Sequence, residues 1–321
     1  MRRRHLLVSA LALPAQARAQ QAKVPTIGWL HPGSPEGSSE RIAGFIKGLG
    51  AQGLVDGRNV AIDYRWARGD YDRLPALATE LANRPVDVIV SGPINSTVAA
   101  KAATTTIPIV FTIGTDPMAF GLVASLNRPG GNLTGVAEQI SELLPKRLQL
   151  LHELLPTAKR VGVLFNAKNP NGRTNLPTLQ AAAVSLGVNL TMISAAGESE
   201  VAQALEAAAA TIDALFIDGD PNFSAMTGKL ANLTARLRLP AVYYDRSFAV
   251  AGCLMSYGPS VGAMYGRAAN YVARILKGAK PDELPVVQPE QFQLVVNLKT
   301  ARALGIAVPQ SILGRADEVI E

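Results

Sequence analysis

From Pro25 onward, short apolar runs alternate with segments whose apolar residues return every three or four positions. The runs TIGWL (26–30), NVAIDYRWA (59–67), VDVIVSG (86–92) and IPIVFTIG (107–114) read as strands. Between them, SERIAGFIKGLGAQG (39–53), YDRLPALATELANR (71–84) and NSTVAAKAATTT (95–106) read as helices. Such alternation predicts right-handed βαβ units on a parallel sheet. The stretch Ile107 to Ile113 is uncharged and rich in β-branched residues, the habit of a strand covered on both faces. It breaks at Gly114-Thr115-Asp116-Pro117, after which a helix is expected. A turn-rich passage, RPGGNLTGV (128–136), and a helical one, ISELLPKRLQLLHELLP (140–156), follow. The alternation then restarts, with strands at RVGVLFN (160–166), NLTMISA (189–195), IDALFIDG (212–219) and PAVYYD (240–245) and helices at 175–187, 199–210 and 224–238.

The remainder holds AGCLMSYG (251–258), a helix from about Val261 to Leu276, and QFQLVVNLKTARALGIAVP, too little for a third domain. The fold class expected is α/β, with two Rossmann-like parallel-sheet lobes joined by about three crossover strands. Lobe 1 would take 24–135 plus about 252–286, and lobe 2 would take 136–251 plus about 287–321. The crossings fall near 130–141, 245–256 and 286–293, an arrangement suited to hinge closure on a ligand. A length of 321 residues with 48% hydrophobic content supplies two cores.

The opening MRRRHLLVSALALPAQARAQQ has a basic front, a short apolar middle and an Ala17-Arg18-Ala19 site. That is the layout of a signal peptide over residues 1–19, for the general secretory or the twin-arginine route, and it predicts a periplasmic protein beginning near Gln20. Cleavage removes Arg2, Arg3, Arg4 and Arg18, leaving 27 basic residues against 25 acidic ones and a net charge of about +2, down from +6. No basic stripe remains to neutralise a row of phosphates, so nucleic acid is not an expected partner. A single cysteine, Cys253, cannot form an internal disulfide, and a monomer is expected.

Catalytic patterns fail on context. Gly48-Leu49-Gly50-Ala51-Gln52-Gly53 spells G-x-G-x-x-G but ends a helix instead of opening one, so no helix N-terminus meets a pyrophosphate. Gly258-Pro259-Ser260-Val261-Gly262 spells G-x-S-x-G, yet His5, His31 and His152 all lie upstream of it, where a nucleophile elbow needs a later histidine. Ser260 reads better as a helix cap. The histidines and the cysteine show no metal-ligand spacing, and no metal or cofactor is expected.

What remains is a set of strand ends converging on one crevice, where open α/β sheets bind ligands. Lobe 1 offers Trp29, His31, Pro93, Asn95, Ser96, Thr115 and Asp116, and lobe 2 offers Asn166, Asp218, Asp220 and Tyr243, with Tyr257 returning from the crossing segment. Each has a structural alternative: Asp116, Asn95 and Ser96 as caps, Asp220 before Pro221 as turn chemistry, Tyr243 as core. Together, carboxylates, amides and aromatic faces suit an amphoteric small organic molecule.

With GTDPMAFGLVASLNRPGGNLTGV (114–136) on the page, the chain resembles the substrate-binding proteins of ABC transporters with the type I periplasmic-binding fold, in the branch of tryptophan and other aromatic amino acid binders. The resemblance runs from TIGWLHPG through GFIKGLGAQGLVDGRNVAIDYRWARGD to LPVVQPEQFQLVVNLKTARALGIAVP. It implies an exported receptor handing its ligand to a membrane permease, with no chemistry of its own. Asp116 matches the family's Asp-Pro signature, and either Asp218 or Asp220 falls near an acidic position that meets a ligand ammonium. SGPINST (91–97) departs from the Thr-Pro-Ala run common there, so the ligand expected is an amino acid or a related carboxylate or amide. Competing readings are a ligand-responsive repressor, for which residues 1–23 leave no helix-turn-helix, an exported hydrolase, which lacks its histidine, and an exported sensor feeding a signalling receptor.

Overall fold

The computed structural model describes residues 24–138, 140–288 and 292–321; the leader expected over 1–19 lies outside these. Lobe 1 is built from β1 (Thr26–His31), α1 (Ser39–Ala51), β2 (Ala61–Trp66), α2 (Leu74–Ala82), β3 (Val88–Ser91), α3 (Ile94–Ala103), β4 (Ile109–Ile113) and β5 (Leu133–Ala137). Its five strands run parallel in the order β2-β1-β3-β4-β5. The chain continues through α4 (Ile140–Leu154), β6 (Arg160–Phe165), α5 (Pro170–Leu186), β7 (Asn189–Ser194), α6 (Glu198–Ala208), β8 (Ala214–Ile217), α7 (Pro221–Ala225) and α8 (Thr227–Arg236). It closes with β9 (Ala241–Tyr243), α9 (Arg246–Val250), β10 (Met255–Pro259), α10 (Val261–Leu276), β11 (Phe292–Asn297), α11 (Leu298–Leu304), α12 (Gln310–Leu313) and β12 (Glu318–Ile320). The second sheet has seven strands in the order β12-β11-β10-β9-β8-β6-β7, with only β10 and β11 antiparallel. This is the two-sheet α/β architecture that the periodicity predicts.

Strand pleating sorts lobe 1 into two cores: Ile27 and Trp29 join one with Val88, Val90 and Val110, while Leu30, Ile89 and Phe111 join the other. Both faces are therefore covered, as near-continuous apolar strands require.

Three details differ from expectation. Leu133–Ala137 is a buried strand at the edge of the first sheet, although glycines at 130 and 131 make its surroundings read as turn. Residues 117–121 form turns where a helix was expected; Gly121 sits at φ 60°, a left-handed conformation that a helix cannot pass through. The third concerns the lobe boundary near 252–286: β10 pairs with β9 and β11 in the second sheet, so the crossing falls at Ser260 and not within 245–256. From there α10 returns to lobe 1, capped by Ser260 Oγ accepting from Ala263 N at 3.3 Å. It packs on α1 so closely that a Cβ on Gly44 would stand 2.1 Å from the Gly262 carbonyl oxygen. The chain touches lobe 1 once more at Val287, bridged to Val136, before β11 completes lobe 2.

Candidate ligand-binding cleft

The carboxyl ends of both sheets face one another. In lobe 1, β3 ends at Ser91 and turns through Gly92-Pro93, where a Cβ on Gly92 would meet Thr112 Oγ1 at 2.3 Å and the Tyr265 hydroxyl at 2.9 Å. Only glycine allows that turn to lie against β4 and α10. Beyond β5, Glu138 is held by its N–H donating to Ile113 O at 2.7 Å. In lobe 2, Asn169 caps α5, Asp220 caps α7, and Tyr244 follows β9. These ends, with Arg41 of α1 and Met264 and Tyr265 of α10, line one small cavity between the lobes.

The lobes touch across this space. The Tyr71 hydroxyl donates to Asp220 Oδ2 at 2.9 Å, and Asn222 Nδ2 reaches Gly69 O at 3.5 Å. Arg41 sends Nη2 to the Tyr244 hydroxyl at 3.1 Å and to Ser224 Oγ at 3.4 Å, with Asp245 at 4.0 Å. Gly37 packs so tightly on α7 that an added Cβ would lie 2.5 Å from Ala225 Cα. The cleft is therefore closed. Asp220 is the centre of the seam: Oδ2 also accepts from Asn166 Nδ2 at 3.1 Å and Asn169 Nδ2 at 2.9 Å, and Oδ1 accepts from Asn222 N at 2.8 Å.

Closure leaves many charges out of water. Burial pushes the Glu138 carboxyl up to about 8 against the pull of Arg147, and the Asp218 carboxyl up to about 6 against its hydrogen bond from Asn175. Burial alone would lower the Arg41 guanidinium; Tyr244, Tyr265 and Asp245 outweigh it and raise it. Burial, and then the Arg41 charge, hold the His31 imidazole well below its ordinary value and so neutral. Arg147 is fully buried over the Phe216 and Tyr244 rings, with Nε donating to Tyr257 O at 3.0 Å, while Nη1 and Nη2 meet no partner. Glu138 Oε1 and Asn171 Oδ1, both on residues of the cavity wall, are likewise unpartnered. Buried polar atoms without partners are rare, and among the described residues Glu138 Oε1, Asn171 Oδ1 and Thr112 Oγ1 are such atoms on residues of this wall.

Among the sequence candidates, Pro93 and Asp220 lie on the wall. Asn166 and Tyr243 stand behind it, supporting Asp220 through its carboxylate and its backbone carbonyl respectively. Asp218 accepts from Asn175 Nδ2 at 3.0 Å, also behind the wall. Ser96 turns its hydroxyl to Pro93 O, Asn95 is half-buried beside it, and Thr115 is buried; none of the three lines the cavity. Asp116 is half-buried and its Oδ1 accepts from Met118 N at 2.9 Å, the capping alternative. Two placements are corrections. Trp29 is core, stacked on Tyr265 at 5.3 Å with Phe45 at its edge, because the pleat turns position 29 away from the mouth. Tyr257 packs on the far core near Phe292, because β10 belongs to the second sheet. His31 is buried beside Trp66, with Nδ1 accepting from Gly33 N.

The strand end Tyr243-Tyr244-Asp245 reads from the sequence as part of the crevice, and Tyr244 lies on the wall; Arg41, Glu138, Asn169, Asn171 and Tyr265 do not follow from the sequence pattern. Arg41 sits in an amphipathic helix where arginine normally faces water, and Tyr265 reaches the cleft only because α10 crosses back. Glu138 had a usable signal: an acid directly after an apolar strand, at a lobe crossing.

A two-lobed α/β protein closed over a small cavity, with both sheets presenting their carboxyl ends to it, is built as a solute-binding protein. The family described as ABC transporter substrate binding protein matches residues 30–320, and the chain belongs to it. It is a family of binding proteins, and the chain is not an enzyme. The chain is 28% identical over 261 residues to a tyrosine-binding protein of Clostridioides difficile strain R20291, covering 81% of this chain and 75% of the relative. It superposes with TM-score 0.83 and 25% identity on an ABC domain from Streptococcus pneumonia in complex with L-Trp, covering 92% of this chain and 99% of that one. Against the ligand-free, open structure of a substrate-binding protein with adhesive properties from Clostridium difficile, identity is 26% and coverage again 92% and 99%, but the TM-score is 0.65. At nearly equal identity and coverage, this chain superposes more closely on the ligand-bound relative than on the ligand-free, open one.

Proposed function

We propose that the protein is the exported receptor of an ABC uptake system, closing its lobes on a small amphoteric molecule, an amino acid or a related carboxylate or amide, and delivering it to a permease. The observation that carries this reading is the closed seam from Tyr71 and Arg41 to Asp220 and Tyr244, over a cavity whose walls hold unpaired polar atoms. The cavity wall holds a cation and an acid: the Arg41 guanidinium suits a carboxylate, and Glu138 suits a ligand's cationic nitrogen. Relatives that bind tyrosine and tryptophan support the amino acid class. The basic front and Ala17-Arg18-Ala19 site support export, and no described helix is long and apolar enough to cross a membrane. A thermal-shift screen of amino acids, aromatic acids and small amides tests the reading, since ligand at about 100 times its dissociation constant adds about 2.7 kcal/mol to folded-state stability. A ligand should also leave the scattering profile at the compact, closed dimensions. No shift with any class would overturn the proposal.

A further inference from the structure

Asp220 is one of the two acids that the resemblance offers for a ligand ammonium, yet its carboxylate already accepts from Tyr71, Asn166, Asn169 and Asn222. Three of these donors crowd Oδ2 and one sits on Oδ1, so the carboxylate is already engaged by protein groups and is a poorer seat for a ligand donor than an acid with none. Asp218, the other, accepts from Asn175 and lies behind the cavity wall.

Glu138 is the opposite case. It lines the cavity, it is 2% exposed, and its Oε1 has no donor. Asn171 Oδ1, on another residue of the same wall, also has no donor, so two acceptors await N–H groups from something the cavity holds. We propose that Glu138, aided by the Asn171 carbonyl, takes the protonated nitrogen of the ligand, and that Asp220 is a closure latch that touches no ligand. The proposal rests on the reading of this cleft as the ligand site.

The charged groups facing Glu138 are Arg147 from α4, Asp245 from the end of β9 and Arg41 from α1. Burial keeps the Glu138 proton on until a cation arrives. An entering ammonium pairs with the carboxylate, and the displaced proton passes to the buffer, so binding near neutral pH releases a proton. Glu138 also directly follows β5 at the first crossing between lobes, where a ligand contact acts at the hinge itself.

The test is calorimetric titration of the full mature chain with a panel of L-amino acids and their deaminated acids, each in two buffers of different ionisation heat. The wild type should bind its best amino acid at least about tenfold more tightly than the deaminated acid and release a proton as it does so. Glu138→Gln, which keeps shape and hydrogen bonding, should lose about tenfold or more for the amino acid, little for the deaminated acid, and all proton release. Asp220→Asn should weaken both ligands together and keep the preference for the amine. Unchanged amino acid binding in Glu138→Gln, or loss of the preference in Asp220→Asn instead, overturns the assignment. A wild type that prefers deaminated acids overturns it too while leaving the receptor reading intact; silence towards every panel member sinks both. Should a variant fail to fold, absence of proton release when the wild type binds its best amino acid still overturns the assignment.

Discussion

The Tyr71 hydroxyl donates to the Asp220 carboxylate at 2.9 Å, tying lobe 1 to a residue 149 positions later in lobe 2. Burial, and next the Asp220 charge, raise the Tyr71 phenol well above its ordinary value, so it remains a donor throughout the physiological range. The seam is therefore made of protein, and the closed form has stability of its own to which a ligand adds.

Tyr71→Phe removes that hydrogen bond without altering the ring. A bond to a charged acceptor contributes about 1.5–3 kcal/mol, so the open form should gain roughly ten- to a hundredfold in relative population. Small-angle scattering of the unliganded variant should give a larger radius than the wild type, and affinity should fall in step. An unchanged radius would mean that Arg41 and its partners hold the seam alone.

Asp116 separates a cap from a ligand contact. Its carboxylate accepts from Met118 N and is absent from the cavity wall. Asp116→Asn, which still caps, should unfold and bind as the wild type does, whereas Asp116→Ala should cost about 1 kcal/mol in urea unfolding with affinity preserved. Tenfold weaker binding by the Asn variant would restore the carboxylate as a recognition element.

The buried acids set a pH dependence. The folded-state pKa of Glu138, about 8, and that of Asp218, about 6, exceed ordinary carboxylate values. The folded state thus holds more protons than the unfolded one across this window, and their contribution is complete at low pH and lost as pH rises through about 6 and then about 8. His31, lowered by burial, acts with the opposite sign below its unfolded value. The informative quantity is therefore the difference between wild type and Glu138→Gln. The variant should be the more stable by a margin growing between pH 5 and 8 to about 2–4 kcal/mol. Parallel stability profiles would show that Glu138 is not desolvated in solution.

The Arg-rich front and the Ala17-Arg18-Ala19 site predict that the native protein begins near Gln20. Mass spectrometry of protein from the producing cell should find the leader removed. Intact Met1 protein recovered from cytosol would refute export.

Much of the fold was legible because its causes are local. Val261–Leu276 is helical over the bounds that its spacing predicts, and Arg160–Phe165 is a strand, because the apolar period and the β-branched content each act within a few residues. Leu133–Ala137 was hidden by its own sequence: Gly135, where a Cβ would stand 2.1 Å from Phe111 O, breaks the apolar run for a reason that only the neighbouring strand supplies.

The cleft divides along the same line. The sequence alone determined two α/β lobes, their order, and the strand ends that border the crevice, since backbone direction fixes where strands finish. Tertiary structure decided which side chains turn inward. It placed Trp29 in one core and Tyr257 against another, took up Asp220 in a seam with Tyr71, and brought Arg41, Glu138 and Tyr265 to the cavity from a helix, a lobe crossing and a returning helix. The physical reason is burial: a charge or hydroxyl is costly or useful only according to what surrounds it, and those surroundings come from residues a hundred or more positions away.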